Sequence, residues 1–271
     1  MKTCLVSAYY EINRDKWNAF SRQFEDYIKT FIPFLKLMEN AGEEYEMIVF
    51  IHESKFEYIK TLIDEKLQIT LISINEKFMK RNIPMFLTLQ KDIEIMASDY
   101  YNNIIKHRKS HPEHCNPYYT TITNSKVDFV AYASTLSKSE FFAWVDFGYF
   151  KNNSLIPNNM LDINKFDSSK ITFTLINKLD EKDSDIIYTL INAHEKIGGM
   201  FFFGHRNKML EYQKLTTNVR KHLQDNNITD DDQHTVLQCF YKNPSLFDLK
   251  LLDYPYNGWH KALLFFQKSS T

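Results

Sequence analysis

A chain of 271 residues is long enough to bury one large core without disulfide or metal staples. Its 33 Lys and Arg against 34 Asp and Glu leave a formal net charge of -1, which removes the basic field that nucleic acid or an anionic polymer would need. With only six glycines, and neither G-x-G-x-x-G nor G-x-x-x-x-G-K-[ST], the chain has no dinucleotide fingerprint and no P-loop.

In chain order, the opening MKTCLVSAYYEIN holds too short an apolar run for a secretory h-region or a spanning helix, and no later run reaches about 18 apolar residues. Three scattered cysteines, Cys4, Cys115 and Cys239, suit a reducing compartment. The expectation is a cytosolic protein, with contact at the inner face of a membrane left open. TCLVSAY (3–9), EMIVFIH (46–52) and QITLISI (68–74) read as strands. Between them, Asp15 to Asn40 carries apolar residues at spacings of three and four, with a kink expected at Pro33, and Ser54 opens a shorter helix. Strand alternating with helix predicts a mostly parallel central sheet with helices on both faces.

Residues 84 to 109 read as helical, SHPEHCNPYY as an irregular loop, and 125 to 137 as a further helix before the strand at 141 to 146. Beyond it, strands are expected at 170–176, 199–204 and 245–252, and helices at 183–194, 206–224 and 230–242. NNSLIPNN (152–159) reads as loop, and no linker or repeat divides the chain, so one domain is expected over 1–271.

The most pointed feature is FFAWVDFGYF (141–150), a hydrophobic strand ending on Asp146. Open α/β sheets bind ligands at that edge, and a carboxylate is the hard oxygen ligand that Mg2+ or Mn2+ prefers. Gly148 stands where an Asp-x-Asp pair would place its second acid. His260, after the turn-forming Asn257-Gly258, is a further candidate ligand, with packing beside Trp259 as the alternative. In ITDDDQHT, Thr229 or Asp230 suits a helix N-cap, which leaves Asp232, and next Asp231, as a base or sugar-orienting acid. Ser125 and Lys126 suggest a helix N-terminus that meets phosphate, and Arg14 a guanidinium for phosphate or carboxylate. Ser7 and Tyr9 of the first strand complete the donor-side candidates. The HPEHC cluster lacks a second ligand pair at zinc spacing.

TCLVSAYYEINRDKW, NPYYTTITNSK, WVDFGY, GGMFFFG and DDDQ, in this order, resemble the bacterial HtrL/YibB family, which includes WlaTC-like lipooligosaccharide proteins. That family looks similar to glycosyltransferases of the GT-A fold. The resemblance implies a nucleotide-binding half over about 1–150 and an acceptor-side half over about 151–271. It further implies a nucleoside diphosphate-sugar donor, a cell-surface glycan acceptor, and Mn2+ or Mg2+ held by Asp146 with His260. A metal-dependent phosphoester hydrolase or phosphotransferase, and a glycan- or nucleotide-binding protein without turnover, remain alternatives on the residues alone.

Overall fold

The computed structural model describes residues 1–150, 153–252 and 259–269; the expected turn at Asn257-Gly258 lies outside them. Seven strands form one sheet: β1 (Thr3–Tyr9), β2 (Tyr45–His52), β3 (Ile69–Ile74), β4 (Phe141–Val145), β5 (Ile171–Leu175), β6 (Ile197–His205) and β7 (Phe247–Leu251). Their order is β3-β2-β1-β4-β6-β5-β7. Only β6 runs antiparallel to its neighbours. The protein is therefore mixed α/β with a mostly parallel sheet, as the alternation predicts.

The helices are α1 (Phe24–Glu39), α2 (Glu53–Leu62), α3 (Glu76–Asn82), α4 (Leu89–Met96), α5 (Asp99–Ile104), α6 (Pro112–Cys115), α7 (Pro117–Asn124), α8 (Lys126–Leu136), α9 (Ile186–Asn192), α10 (Arg206–Asp225), α11 (Asp232–Lys242) and α12 (Ala262–Phe266). Strand side chains alternate between two cores. Cys4, Val6, Ile48, Phe50, Phe142 and Trp144 pack under α3, α8, α10 and α11. Leu5, Met47, Val49, Phe141, Ala143 and Val145 pack under α1 and α12. Burial on both faces explains why the strands read as continuous apolar runs. None of the helices among the described residues is long and apolar enough to cross a membrane.

Several boundaries differ from the expectation for local reasons. The helix read from Asp15 begins only at Phe24, because Asn13 and Phe20 take positive φ (53° and 59°) and Arg14 O accepts the amides of Trp17 and Arg22. Trp17 and Phe20 thus belong to a folded loop, although α1 runs on through Pro33. The segment read as one helix over 84–109 breaks where Ser98 caps α5. The expected loop at 110–119 is helical, since Pro112 and Pro117 each sit at a helix start, where a missing N–H costs nothing.

Candidate functional site

β1 and β4 are parallel neighbours, paired from Thr3–Phe141 to Val6–Trp144, so their carboxyl ends open on the same edge of the sheet. A cavity of about 640 Å3 lies there. Tyr9, Tyr10 and Glu11 from the end of β1, and Arg14 and Arg22 from the loop that follows, line it. Tyr119, Lys126, Asp146, Gly148, Gly199, Asp232, Gln233, Trp259 and His260 line it as well. Residues from both halves of the sequence meet in it.

Asp146 directly follows β4, and its amide donates to Met200 O at 3.0 Å, which fixes the carboxylate at the sheet edge. Its Oδ1 accepts the Trp144 indole N–H at 2.6 Å. Lys126, the first residue of α8, reaches in with Nζ 3.1 Å from Asp146 Oδ1, 2.9 Å from Asp232 Oδ2 and 2.9 Å from Gly199 O. One ammonium therefore uses its three donors on two carboxylates and a carbonyl. Burial alone would lower the pKa of Lys126, but Asp146 and Asp232 outweigh it and the net shift is upward, so the group stays charged. For Asp232, burial raises the pKa, Lys126 pulls it back and Asp146 raises it again, with a net upward shift.

Each of the three consecutive acids has a separate task. Asp230 is fully buried, with Oδ2 2.6 Å from His234 Nδ1 in charge contact without the alignment of a hydrogen bond. Asp231 is the N-cap of α11 and accepts the Gln233 amide at 3.0 Å, a role expected at Thr229 or Asp230. Burial, and then Asp230 and Asp232, push the Asp231 pKa well up. Asp232 is left to face the cavity. It fits because residue 199 is glycine: a Cβ there would lie 1.8 Å from Asp232 Oδ2. Behind the trio, Thr229 Oγ1 donates to Asp92 Oδ1 at 2.6 Å, and Asp92 pairs with buried Arg220 at 2.6 and 2.8 Å.

Of the residues singled out by sequence, Tyr9, Arg14, Lys126, Asp146, Gly148, Asp232 and His260 come together here. Ser7 and Asp231 do not: Ser7 is fully buried within β1, deeper than Tyr9, and Asp231 points into the helix cap. The helix N-terminus expected at Ser125 is present, with Ser125 at the N-cap position of α8 and Lys126 its first residue, but Ser125 makes no side-chain cap. Ser125 is fully buried, and its hydroxyl donates back to Thr121 O at 2.8 Å, so it is turned toward α7 and away from the cavity. Sequence reading missed Arg22, whose only signal was proximity to Arg14, and Gln233, which sits beside the acids already noted.

A divalent ion does not fit this donor set as it stands. Both oxygens of Asp146 face Lys126 Nζ, at 3.1 and 3.4 Å, and Gly148 contributes no ligand. The space a side chain at 148 would take is filled by Arg22, whose Nη1 is 2.5 Å from the position of a Cβ. His260 lines the cavity, with its ring 5.8 Å from that of Tyr149. Among the described residues, the grouping compact enough for an ion is Asp230, Asp231 and His234, with ligand atoms within 4.8 Å of one another, and it does not include Asp146.

Fold and site together define a mixed α/β protein with a cavity at the carboxyl edge of a mostly parallel sheet, built on a buried Lys between two Asp. The chain belongs to the HtrL/YibB family, described as bacterial proteins of unknown function, whose model matches residues 1–267. It is 28% identical over 258 residues to Protein HtrL of Escherichia coli (strain K12), covering 92% of this chain and 88% of that protein.

Proposed function

We propose that this protein is a glycosyltransferase that moves a sugar from a nucleoside diphosphate-sugar to a hydroxyl of a cell-surface glycan, a lipooligosaccharide or a capsule, at the inner face of the inner membrane. The observation that carries the reading is the Asp146–Lys126–Asp232 bridge at the carboxyl edge of the sheet, in a cavity that also holds Arg14 and Arg22. Each part of such a donor has a matching group: ring faces at Tyr9, Tyr10 and Tyr119 for the base, guanidinium groups for the diphosphate, and carboxylates for sugar hydroxyls. The acceptor class and the cellular location rest on the resemblance to proteins of lipooligosaccharide assembly.

In the transfer, the acceptor oxygen bonds to the anomeric carbon while the bond from that carbon to the diphosphate breaks, and its electron pair leaves on the diphosphate. Asp232 takes the acceptor proton: its raised pKa makes it a better base than a solvated carboxylate. Asp146, held rigidly by Trp144 and Lys126, orients a donor sugar hydroxyl.

A thermal-shift panel of nucleoside diphosphates, followed by product analysis with lipooligosaccharide acceptors, tests the reading. Ligand at about 100 times its Kd adds about 2.7 kcal/mol of stability, a readily measured rise in Tm. Sugar should appear on the acceptor and not free in solution. A panel without any shift, or release of free sugar or phosphate in the absence of acceptor, refutes it.

A further inference from the structure

We infer that the leaving diphosphate is held and neutralised by the guanidinium groups of Arg22 and Arg14 in place of a divalent ion. This rests on the glycosyltransferase reading and adds to it what receives the charge.

Arg22 lies with its guanidinium carbon 4.0 Å from the Tyr27 ring centroid, and among the described residues no carboxylate pairs with it. Arg14 is fixed by neutral groups: Nε donates to Phe20 O at 3.0 Å and Nη1 to the Tyr27 hydroxyl at 3.1 Å. The backbone joins the two residues, since the Arg22 amide donates to Arg14 O at 3.3 Å. Two guanidinium groups on one loop thus line the cavity with donors to spare, and three of the acids that line it are engaged elsewhere. Asp146 and Asp232 are bound to Lys126, and Glu11 accepts from the Tyr9 hydroxyl at 2.9 Å and the Asn13 amide at 2.8 Å.

Gly148 makes the substitution specific. At the place where a second acid would complete an Asp-x-Asp pair, the absent side chain leaves room for Arg22 Nη1, 2.5 Å from the would-be Cβ. Where a metal site would set a cation between two acids, this site sets Lys126 between Asp146 and Asp232 and a guanidinium beside them. Guanidinium binds phosphate oxygens through paired N–H donors and carries its charge at all working pH values. As the bond to the anomeric carbon breaks, its electron pair settles on a diphosphate oxygen that these donors already face, and the acceptor proton passes to Asp232.

The test is isothermal titration of ADP, CDP, GDP and UDP into the full chain, in EDTA and again with millimolar Mn2+. At least one should bind with affinity equal within about twofold in the two buffers. Arg22→Gln should weaken that binding by about tenfold or more, the size expected when charge-assisted hydrogen bonds are lost. Gly148→Ala, which keeps every charge but takes the space of the guanidinium, should weaken it in the same direction. Binding that vanishes in EDTA and returns with Mn2+ overturns the inference while leaving the transferase reading intact, and so do both variants binding like the parent. No binding of any nucleotide in either buffer refutes the transferase reading, and this inference with it.

Discussion

Replacing Lys126 by Met keeps the length of the side chain but strands two partly buried carboxylates, Asp146 and Asp232, that now share one ammonium at 3.1 and 2.9 Å. Removing one partner of a buried ion pair costs about 3–5 kcal/mol. Asp146 keeps 25% of its side chain exposed, so the lower end, about 3 kcal/mol at pH 7, applies. The pH dependence identifies the cause. In the parent, Lys126 is raised, so its contribution is complete below about pH 10.4 and lost only as pH climbs through its folded value. In the variant, Asp232 loses the ammonium that pulls its pKa back, so burial and Asp146 hold it further above about 3.9. The penalty is then full above that raised value and fades as pH falls through it. Urea denaturation at pH 7 and at pH 5 should show a gap between variant and parent that narrows on acidification. Lys126→Met with Asp232→Asn should recover much of the loss at pH 7. A Lys126→Met protein as stable as the parent, or a gap independent of pH, would refute the argument.

Gly199→Ala should abolish nucleotide-dependent transfer, since a methyl 1.8 Å from Asp232 Oδ2 must expel that carboxylate from the Lys126 bridge; transfer at the parent rate would show that Asp232 acts from elsewhere. Asp92→Ala removes the partner of fully buried Arg220 and the anchor of Thr229, and should cost about 3–5 kcal/mol in urea denaturation; a loss below about 1 kcal/mol contradicts the pairing. His234 is raised because Asp230 outweighs its burial, so its contribution is complete below about pH 6.5 and lost as pH rises through its folded value. Asp230 is lowered: burial alone would raise it, and His234 outweighs that, so its contribution is present above about pH 3.9 and lost as pH falls through its folded value. Stability from this pair therefore peaks between these limits, and His234→Gln should flatten the decline above about pH 6.5; an unchanged slope in denaturation midpoints across that range argues against it.

What the sequence disclosed follows from where the physics is local. The strands announce themselves because both faces of the sheet are covered, which forces runs such as EMIVFIH, and α10 and α11 keep the helical period because each packs one side on the core. Asp146 is legible because a charge ending an apolar strand has few structural reasons to exist. The misreadings arose where backbone conformation or depth in the sheet, and not spacing, decides. Trp17 and Phe20 carry helical spacing, yet positive φ at Asn13 and Phe20 turns the chain back on Arg14, and no spacing encodes that. Ser7 shares the face of Tyr9 but lies two residues deeper, where alternation alone cannot separate a buried position from an edge position.

Gly148 shows the limit most clearly. Against the Asp-x-Asp pattern it reads as a missing ligand, a subtraction from the site. Its role depends on Arg22, more than a hundred residues earlier, whose guanidinium occupies the space left open. A motif compared position by position registers only what is lost at each position. The cation beside Gly148 is found where the loop after β1 folds against the end of β4, and there the open space at Gly148 and the Arg22 guanidinium that fills it form a single arrangement.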